Sequence, residues 1–307
     1  RLRNRIVFTA HHTHLATNVP TQELAAYHEA RARGGAGLVI LEASSIHPTG
    51  WFAGHQIETF EKKCIPGYRI VAEACHQHNT AVFGQLFHPG REVRGRHDGR
   101  AVVTYAPSAV PGERHHVVPR EMSIELIKEI IKGFADSAQN LKDSGIDGAE
   151  ILASHGYLPA QFLSPTINQR TDSYGGSIHA RLRFLREIIS AIRSQVDNFV
   201  IGVRVSTESH ANDGVPTDLM LRACHQLESD GEIDYHSLVV GSASTQGAAT
   251  HVVPPMHYDL GYVIPSTKLF REELKLPLMI TGRINQPQLA EKIIHDAGAQ
   301  SEVGHTR

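Results

Sequence analysis

Two polar side chains interrupt runs that otherwise have the composition of buried strands. Gln85 lies in Val-Phe-Gly-Gln-Leu-Phe-His-Pro-Gly-Arg and Arg204 in Val-Ile-Gly-Val-Arg-Val-Ser. An amide or a cation taken out of water must be hydrogen-bonded or paired, so each needs an explanation. Two readings stand. In one, Gln85 is satisfied by backbone and Arg204 by a buried ion pair with Glu42 or Glu150; in the other, both face the head group of a bound cofactor. The last two apolar runs end in Ile-Thr-Gly-Arg, 280–283, and Val-Gly-His-Thr-Arg, 303–307. They place Gly282, Arg283, Gly304 and Arg307 directly after strands, where glycine lets backbone N–H groups approach an anion and arginine grips it with two parallel hydrogen bonds. The pattern predicts a phosphate site and hence a phosphorylated cofactor.

No G-x-G-x-x-G follows any strand, and Gly34-Gly35-Ala36-Gly37 lacks that spacing, so a tightly held Rossmann-type dinucleotide is not expected. A nicotinamide, NADH or NADPH, would visit as a substrate. Beside a flavin, Arg204 would stabilise the anion that develops at the N1 and C2 carbonyl edge on reduction. The chain has 21 histidines. His11, His12 and His14 look like metal ligands on paper, yet consecutive strand residues face opposite ways and no carboxylate or cysteine motif accompanies them, so no metal site is read. His155 differs because it stands at the mouth of a strand, where it can orient a substrate.

The balance of the chain points to small-molecule chemistry. Its 307 residues are 41% hydrophobic and 20% charged, enough to bury a substantial core, and a net charge of -2 provides no footprint for nucleic acid or an anionic membrane. Cys64, Cys75 and Cys224 are dispersed without a C-x-x-C, which excludes a disulfide framework or a cysteine-ligated cluster in this segment and fits a reducing cytoplasm. No apolar run approaches the roughly 20 residues of a membrane span. Self-association into a homo-oligomer is left open.

The elements that would position these residues alternate along the chain. Strands are predicted at 5–10, 38–44, 81–87, 148–154, 200–206, 235–242, 277–282 and from 301 to the end. Ile124, Ile127, Ile131, Phe134, Ala138 and Leu141 recur at helical spacing, as do Ile178, Leu182, Leu185, Ile189, Ile192 and Val196. Further helices are predicted from Pro216 to about Ser229 and from Gln286 to Ala297. Eight near-continuously apolar strands with seven helical stretches predict an α/β fold, a (β/α)8 TIM barrel spanning 1–307 as a single domain; a doubly wound sheet is the alternative. Long Gly-, Pro- and His-rich connections at 88–122, 164–177 and 243–263 follow strand C-termini, the face on which barrel active sites are built. The chain stops within strand eight without an eighth helix, from which a longer natural protein is expected.

Several motifs resemble the old yellow enzyme family. They are Asn4-Arg5-Ile6-Val7, Gln85-Leu86-Phe87-His88-Pro89-Gly90-Arg91, His155-Gly156-Tyr157-Leu158, Gln161-Phe162-Leu163-Ser164-Pro165, the run from Asn168 to Ser177, and the two C-terminal Gly-Arg loops. The resemblance covers essentially the whole chain. It implies an FMN-binding barrel with the flavin phosphate on Gly282, Arg283, Gly304 and Arg307, the pyrimidine edge on Gln85 and Arg204, and backbone contacts at Ala10, His11, His12 and Ala43. It also implies catalytic roles for Tyr157 and His155: Tyr157 as proton donor, with His155 orienting the substrate. Single-domain ene-reductases usually carry a further histidine where this chain has Leu152, so half of the usual carbonyl clamp is missing. An apolar residue there resembles the 2,4-dienoyl-CoA reductase branch, and trimethylamine dehydrogenase has a flavin-linking cysteine where this chain has His12. Both branches continue into an iron-sulfur region, so such a cluster would belong only to a segment after the barrel. Three functions follow as expectations: hydride transfer from reduced flavin to an activated alkene, oxidative N-demethylation of a small methylated amine, or a non-catalytic barrel that binds a phosphorylated ligand.

Overall fold

The computed structural model describes residues 2–52, 54–93 and 102–296, together with the strand at 301–305. Strands β1 (Ile6–Phe8), β2 (Leu38–Ser45) and β3 (Ala81–Phe87) are followed by a small parallel pair, β4 (Tyr105–Ala106) and β5 (Arg120–Glu121). Then come β6 (Gly148–Ala153), β7 (Val200–Glu208), β8 (Tyr235–Val240), β9 (Leu278–Thr281) and β10 (Ser301–His305). All but β4 and β5 form one closed parallel barrel in the order β1-β10-β9-β8-β7-β6-β3-β2. Closure rules out the open sheet, since Val7 pairs with Gly304 on one side and Leu38 on the other. Despite its polar composition, the final strand is paired on both edges, Val303 meeting Ile6 and Ile280.

Helices α1 (Gln22–Arg33), α2 (Ile65–His76) and α3 (Ile124–Asp143) are crossovers, as are α5 (Ile178–Gln195), α6 (Thr217–Asp230), α8 (Ile264–Glu273) and α9 (Pro287–Asp296). Two others, α4 (Leu158–Leu163) and α7 (Gln246–Val252), sit in loops after β6 and β8. Ser123 and Ser177 start α3 and α5 by accepting hydrogen bonds from Leu126 N and Ala180 N, which satisfies a backbone donor left over at each N-terminus. The predicted apolar face of α3 is buried from Ile127 to Leu141, whereas Ile124, in the first turn beyond the edge of the barrel, is 39% exposed. Among the described residues no helix is long and apolar enough to cross a membrane.

Inside the barrel the strand alternation sorts side chains into layers. Val7, Leu38, Ile40, Phe83, Tyr235 and Met279 form an apolar plug. Room for the Tyr235 ring comes from Gly202 on β7, where a Cβ would lie 1.9 Å from the ring. Gly202→Ala is therefore expected to overpack the plug, costing about 1–3 kcal/mol and displacing Tyr235. A chemical-denaturation midpoint equal to that of the parent would contradict this packing.

Three histidines are buried in the frame: His28 on α1, His88 after β3 and His236 on β8. Burial pushes His28 and His88 down to about 3 and His236 down to about 4. The unfolded chain, with histidines near the ordinary 6.5, takes up these protons first. Their contribution is thus fully present above pH 6.5 and declines as pH falls toward the folded values. Each such histidine adds a slope of about 1.4 kcal/mol per pH unit inside that window. Urea midpoints measured from neutral pH down through the window should fall steeply, and a flat profile would refute buried neutral imidazoles.

Candidate active site

A cavity of about 400 Å³ opens at the C-terminal ends of the barrel strands. Its floor is polar where the plug beneath is apolar. Glu150, on β6, is fully buried and organises that floor. Its Oε1 accepts a hydrogen bond of 2.6 Å from Gln85 Nε2 and lies 3.6 Å from Arg204 Nη1, while Tyr235 donates to Oε2 at 3.3 Å. Arg204 also donates to Ser237 Oγ. Arg204 is ion-paired with Glu150, as one reading had it, whereas the Gln85 amide is satisfied by the Glu150 carboxylate and not by backbone; both residues line the cavity. The Glu42 alternative does not hold. That carboxylate instead receives Thr13 N at 3.1 Å and Thr13 Oγ1 at 2.5 Å, and burial raises its pKa against these bonds.

The turn after β1 brings Ala10, His11 and His12 to one wall, beside Ala43 of β2. His11 is engaged on both ring nitrogens, Nδ1 with Thr9 O and Nε2 with the Tyr27 hydroxyl at 2.5 Å. His12 packs edge-on against His14 with ring centroids 4.3 Å apart, and burial followed by the His14 charge lowers its pKa. Among the described residues no group of three or more His, Cys, Asp or Glu is arranged to hold a metal ion.

Thr281 and Gly282, at the end of β9, close the far side. A Cβ on Gly282 would meet the Val263 side chain at 2.2 Å, so packing admits only glycine at this point of the cavity wall. The Thr281 hydroxyl is buried in the wall without a hydrogen-bond partner. Arg283 departs from the sequence expectation. Its guanidinium donates to Pro255 O at 2.6 Å, and it does not line the cavity. Gly304 lies in β10 beside Thr281, and Arg307 falls outside the described residues.

His155 and Tyr157 project from the turn between β6 and α4. His155 has φ 58°, a left-handed conformation that costs a non-glycine residue about 1–2 kcal/mol. Its neighbours hold it there: His155 N donates to Ser206 Oγ at 3.0 Å and its carbonyl accepts Ala243 N at 2.8 Å. The ring Nδ1 lies 3.3 Å from the Gly241 carbonyl, and burial, then Arg204, push the imidazole down to about 3. The half-buried Tyr157 ring packs edge-on to Phe87 at 4.6 Å and Phe52 at 5.9 Å, 6.3 Å from the His155 ring. Leu152 completes this wall, so no second imidazole joins His155 there.

Sequence reasoning missed Glu150 as a functional residue, and it placed the 243–263 connection on the active-site face without naming His251 to Pro254 and Tyr262, which line the cavity. A carboxylate two residues from the start of an apolar strand was a readable signal for the first. The second comes from a loop with no periodicity. The Tyr262 hydroxyl is committed to the His251 carbonyl, and burial pushes it up to about 12.

These features fit FMN. A buried amide and guanidinium suit the polar edge of an isoalloxazine, while the glycine backbone and unpartnered threonine at the end of β9 suit its phosphate arm. Comparison with known proteins agrees. The chain is 32% identical over its full length to an N,N-dimethylglycine/sarcosine dehydrogenase of Chromohalobacter salexigens, of which it covers 44%, and 35% identical over 97% of its length to an NADH oxidase of Thermoanaerobacter brockii, of which it covers 46%. It thus spans less than half the length of these relatives. A structure of 2-naphthoyl-CoA reductase with 2-naphthoyl-CoA superposes with TM-score 0.89 and 26% identity over 99% of this chain and 47% of the other. The family model of the NADH:flavin oxidoreductase / NADH oxidase family matches residues 1–302. With the closed barrel and a cavity built for FMN, the chain belongs to that family, the flavin oxidoreductases of the old yellow enzyme type.

Proposed function

We propose that this barrel uses FMN, reduced by NADH or NADPH, to reduce the carbon–carbon double bond of an alkene activated by a carbonyl group. The observation that carries the reading is Tyr157: a phenol on the cavity wall, beside an imidazole that burial keeps neutral. FMN, when bound in the cavity and reduced, would supply hydride chemistry for the β-carbon of the alkene. The chain's own residues do the rest. Gln85 and Arg204, braced by Glu150, hold the pyrimidine edge, and the Arg204 charge favours the anionic form of that edge. Ala10, His11, His12 and Ala43 pack along the cofactor, and Gly282 with Thr281 receives the phosphate arm. Gly304, beside Thr281, follows the same arm, whereas Arg283 acts by fixing the loop at Pro255. Tyr157 gives its hydroxyl proton to the α-carbon and recovers one from water, so hydride plus proton add across the double bond. His155 orients the substrate.

Oxidative N-demethylation is the second reading. The edge-packed rings of Phe52, Phe87 and Tyr157 could hold a methylated ammonium through cation–π contacts, and one relative is a dimethylglycine dehydrogenase. Against it, no carboxylate lines the cavity among the described residues, so the wall offers a substrate ammonium no counter-charge.

General-acid removal usually slows a reaction by about 10²–10⁴. Tyr157→Phe should therefore slow reoxidation of the reduced enzyme by an enone or enoyl thioester by about that factor, while flavin reduction by NADPH stays near the parent rate. Anaerobic stopped-flow absorbance reads both half-reactions. Reoxidation at the parent rate with every alkene tried would remove the donor role, and bleaching of the oxidised enzyme by dimethylglycine would favour the second reading.

A further inference from the structure

The two most exposed large apolar side chains among the described residues belong to one short stretch. Met256 is 91% exposed and Val253 78%, and both lie in Val252-Val253-Pro254-Pro255-Met256. Single exposed apolar residues are ordinary on a protein surface, whereas a cluster of them beside a cavity marks a place where something apolar docks. Val252, Val253 and Pro254 line the cavity. Val253 is thus wall and surface at once, and it stands at the mouth. From there to Met256 the chain reaches at most about 11 Å, so the apolar wall continues outward onto the surface. No Asp, Glu, Lys or Arg occurs anywhere from Gly241 to Tyr258.

The stretch is anchored at several points. Pro254 and Pro255 fix two φ angles. The Pro255 carbonyl accepts hydrogen bonds from Tyr258 N at 3.2 Å and Arg283 Nη1 at 2.6 Å, and Val253 N donates to Ala249 O at 3.1 Å. On the inner side the Tyr262 hydroxyl is bonded to the His251 carbonyl. An apolar surface fixed in advance loses little conformational freedom when a ligand covers it. A cavity of about 400 Å³ is near the lower end of the range for a single ligand. With FMN inside, whatever a substrate carries beyond its reacting carbons must emerge at the mouth. We infer that Val253 and Met256 form an apolar lip that binds the alkyl tail of the substrate, so that long-tailed substrates are selected over short ones. This rests on the proposed function for the head group in the cavity, but the tail contact is a binding property and can be read without turnover.

The test is calorimetric titration of oxidised FMN-loaded enzyme with two pairs of ligands. One pair is an α,β-unsaturated methyl ketone bearing methyl or heptyl on its β-carbon; the other is dimethylglycine and N-heptyl-N-methylglycine. Each methylene taken fully out of water is worth about four-fold in affinity, so six of them covered on one side should favour the heptyl ketone by about 50-fold. Its heat-capacity change on binding should also be the more negative. Because any apolar tail prefers a protein to water, the variants carry the assignment. Met256→Ser should cut the heptyl-to-methyl ratio by about five-fold with binding of the methyl ketone unchanged, and Met256→Leu should keep the parent ratio. Met256 is exposed, so neither substitution disturbs the packed core. A ratio near one in the parent, a parent ratio in Met256→Ser, or equal losses in the Ser and Leu variants would each overturn the lip. So would a changed sedimentation coefficient of Met256→Ser at constant ratio, which would make the stretch a contact between copies. No binding by any of the four ligands would overturn the lip and the proposed function together. Failure of both ketones to bind, with a Met256-dependent ratio in the glycine pair, would instead remove alkene reduction and leave the lip in place.

Discussion

The carboxylate of Glu150 sets the electrostatics of the barrel interior. It is fully enclosed, and a charge so far from water persists only when donors surround it. Gln85 on β3 and Tyr235 on β8 donate to it, and the Arg204 guanidinium on β7 pairs with it at 3.6 Å. This arrangement explains why the inward faces change character between the apolar plug and the polar floor above it. It also explains why Arg204 can face the cavity as a cation: its charge is balanced from below, so it remains in place for a ligand's developing anion at little reorganisation cost. Removing one member of such a buried pair typically costs about 3–5 kcal/mol, so floor and fold are coupled.

A second buried cation organises the rim. Arg91, in the loop after β3, has no exposed side-chain surface and is held by Glu92 and Asp213 together with the carbonyls of Val110 and Pro111. Burial raises the Glu92 pKa, with Arg91 opposing. Asp213, from the loop after β7, also accepts from Ser244, which is bonded to Ser242. Ser242 pairs with His155 as an isolated bridge. The loops after β3, β6, β7 and β8 are thereby tied together, and the strained backbone of His155 sits at the end of that chain. Strain of this kind survives only where neighbours over-determine it. Here they do so at the residue that faces the cavity beside Tyr157.

The histidines divide by surroundings rather than by number. His88 is locked into a network with Thr49 and the Gly90 backbone, and His236 packs in the frame near Glu228. His11, His12, His155 and His251 reach the cavity. His11 is engaged with Tyr27 and Thr9, and His155 meets the Gly241 carbonyl through Nδ1. Composition shows only that histidine is abundant; the hydrogen bonds decide which rings can meet a ligand.

Much of this was legible in the sequence. Near-continuous apolar runs separated by helical spacings determine a parallel α/β fold, because strands buried on both faces leave that pattern and few others, and the pairing of β1 with β10 decides for the closed barrel over the open sheet. Gln85, Arg204, Gly282 and His155 stood out as polar or glycine residues at strand ends, whereas Tyr157 was marked only by the resemblance to the old yellow enzyme family. Tertiary structure decided what those residues can do. Arg204 pairs with Glu150 and not Glu42 because β6 and β7 are neighbours in register, Leu152 lying opposite Arg204. Arg283 turns to the Pro255 carbonyl because the 243–263 loop folds back over the strand end, a contact with no periodic signal. The state of His155 is likewise a property of the fold. An isolated imidazole has an ordinary pKa, and only burial and then Arg204 push this one down to about 3, with the Gly241 carbonyl after β8 set against its Nδ1.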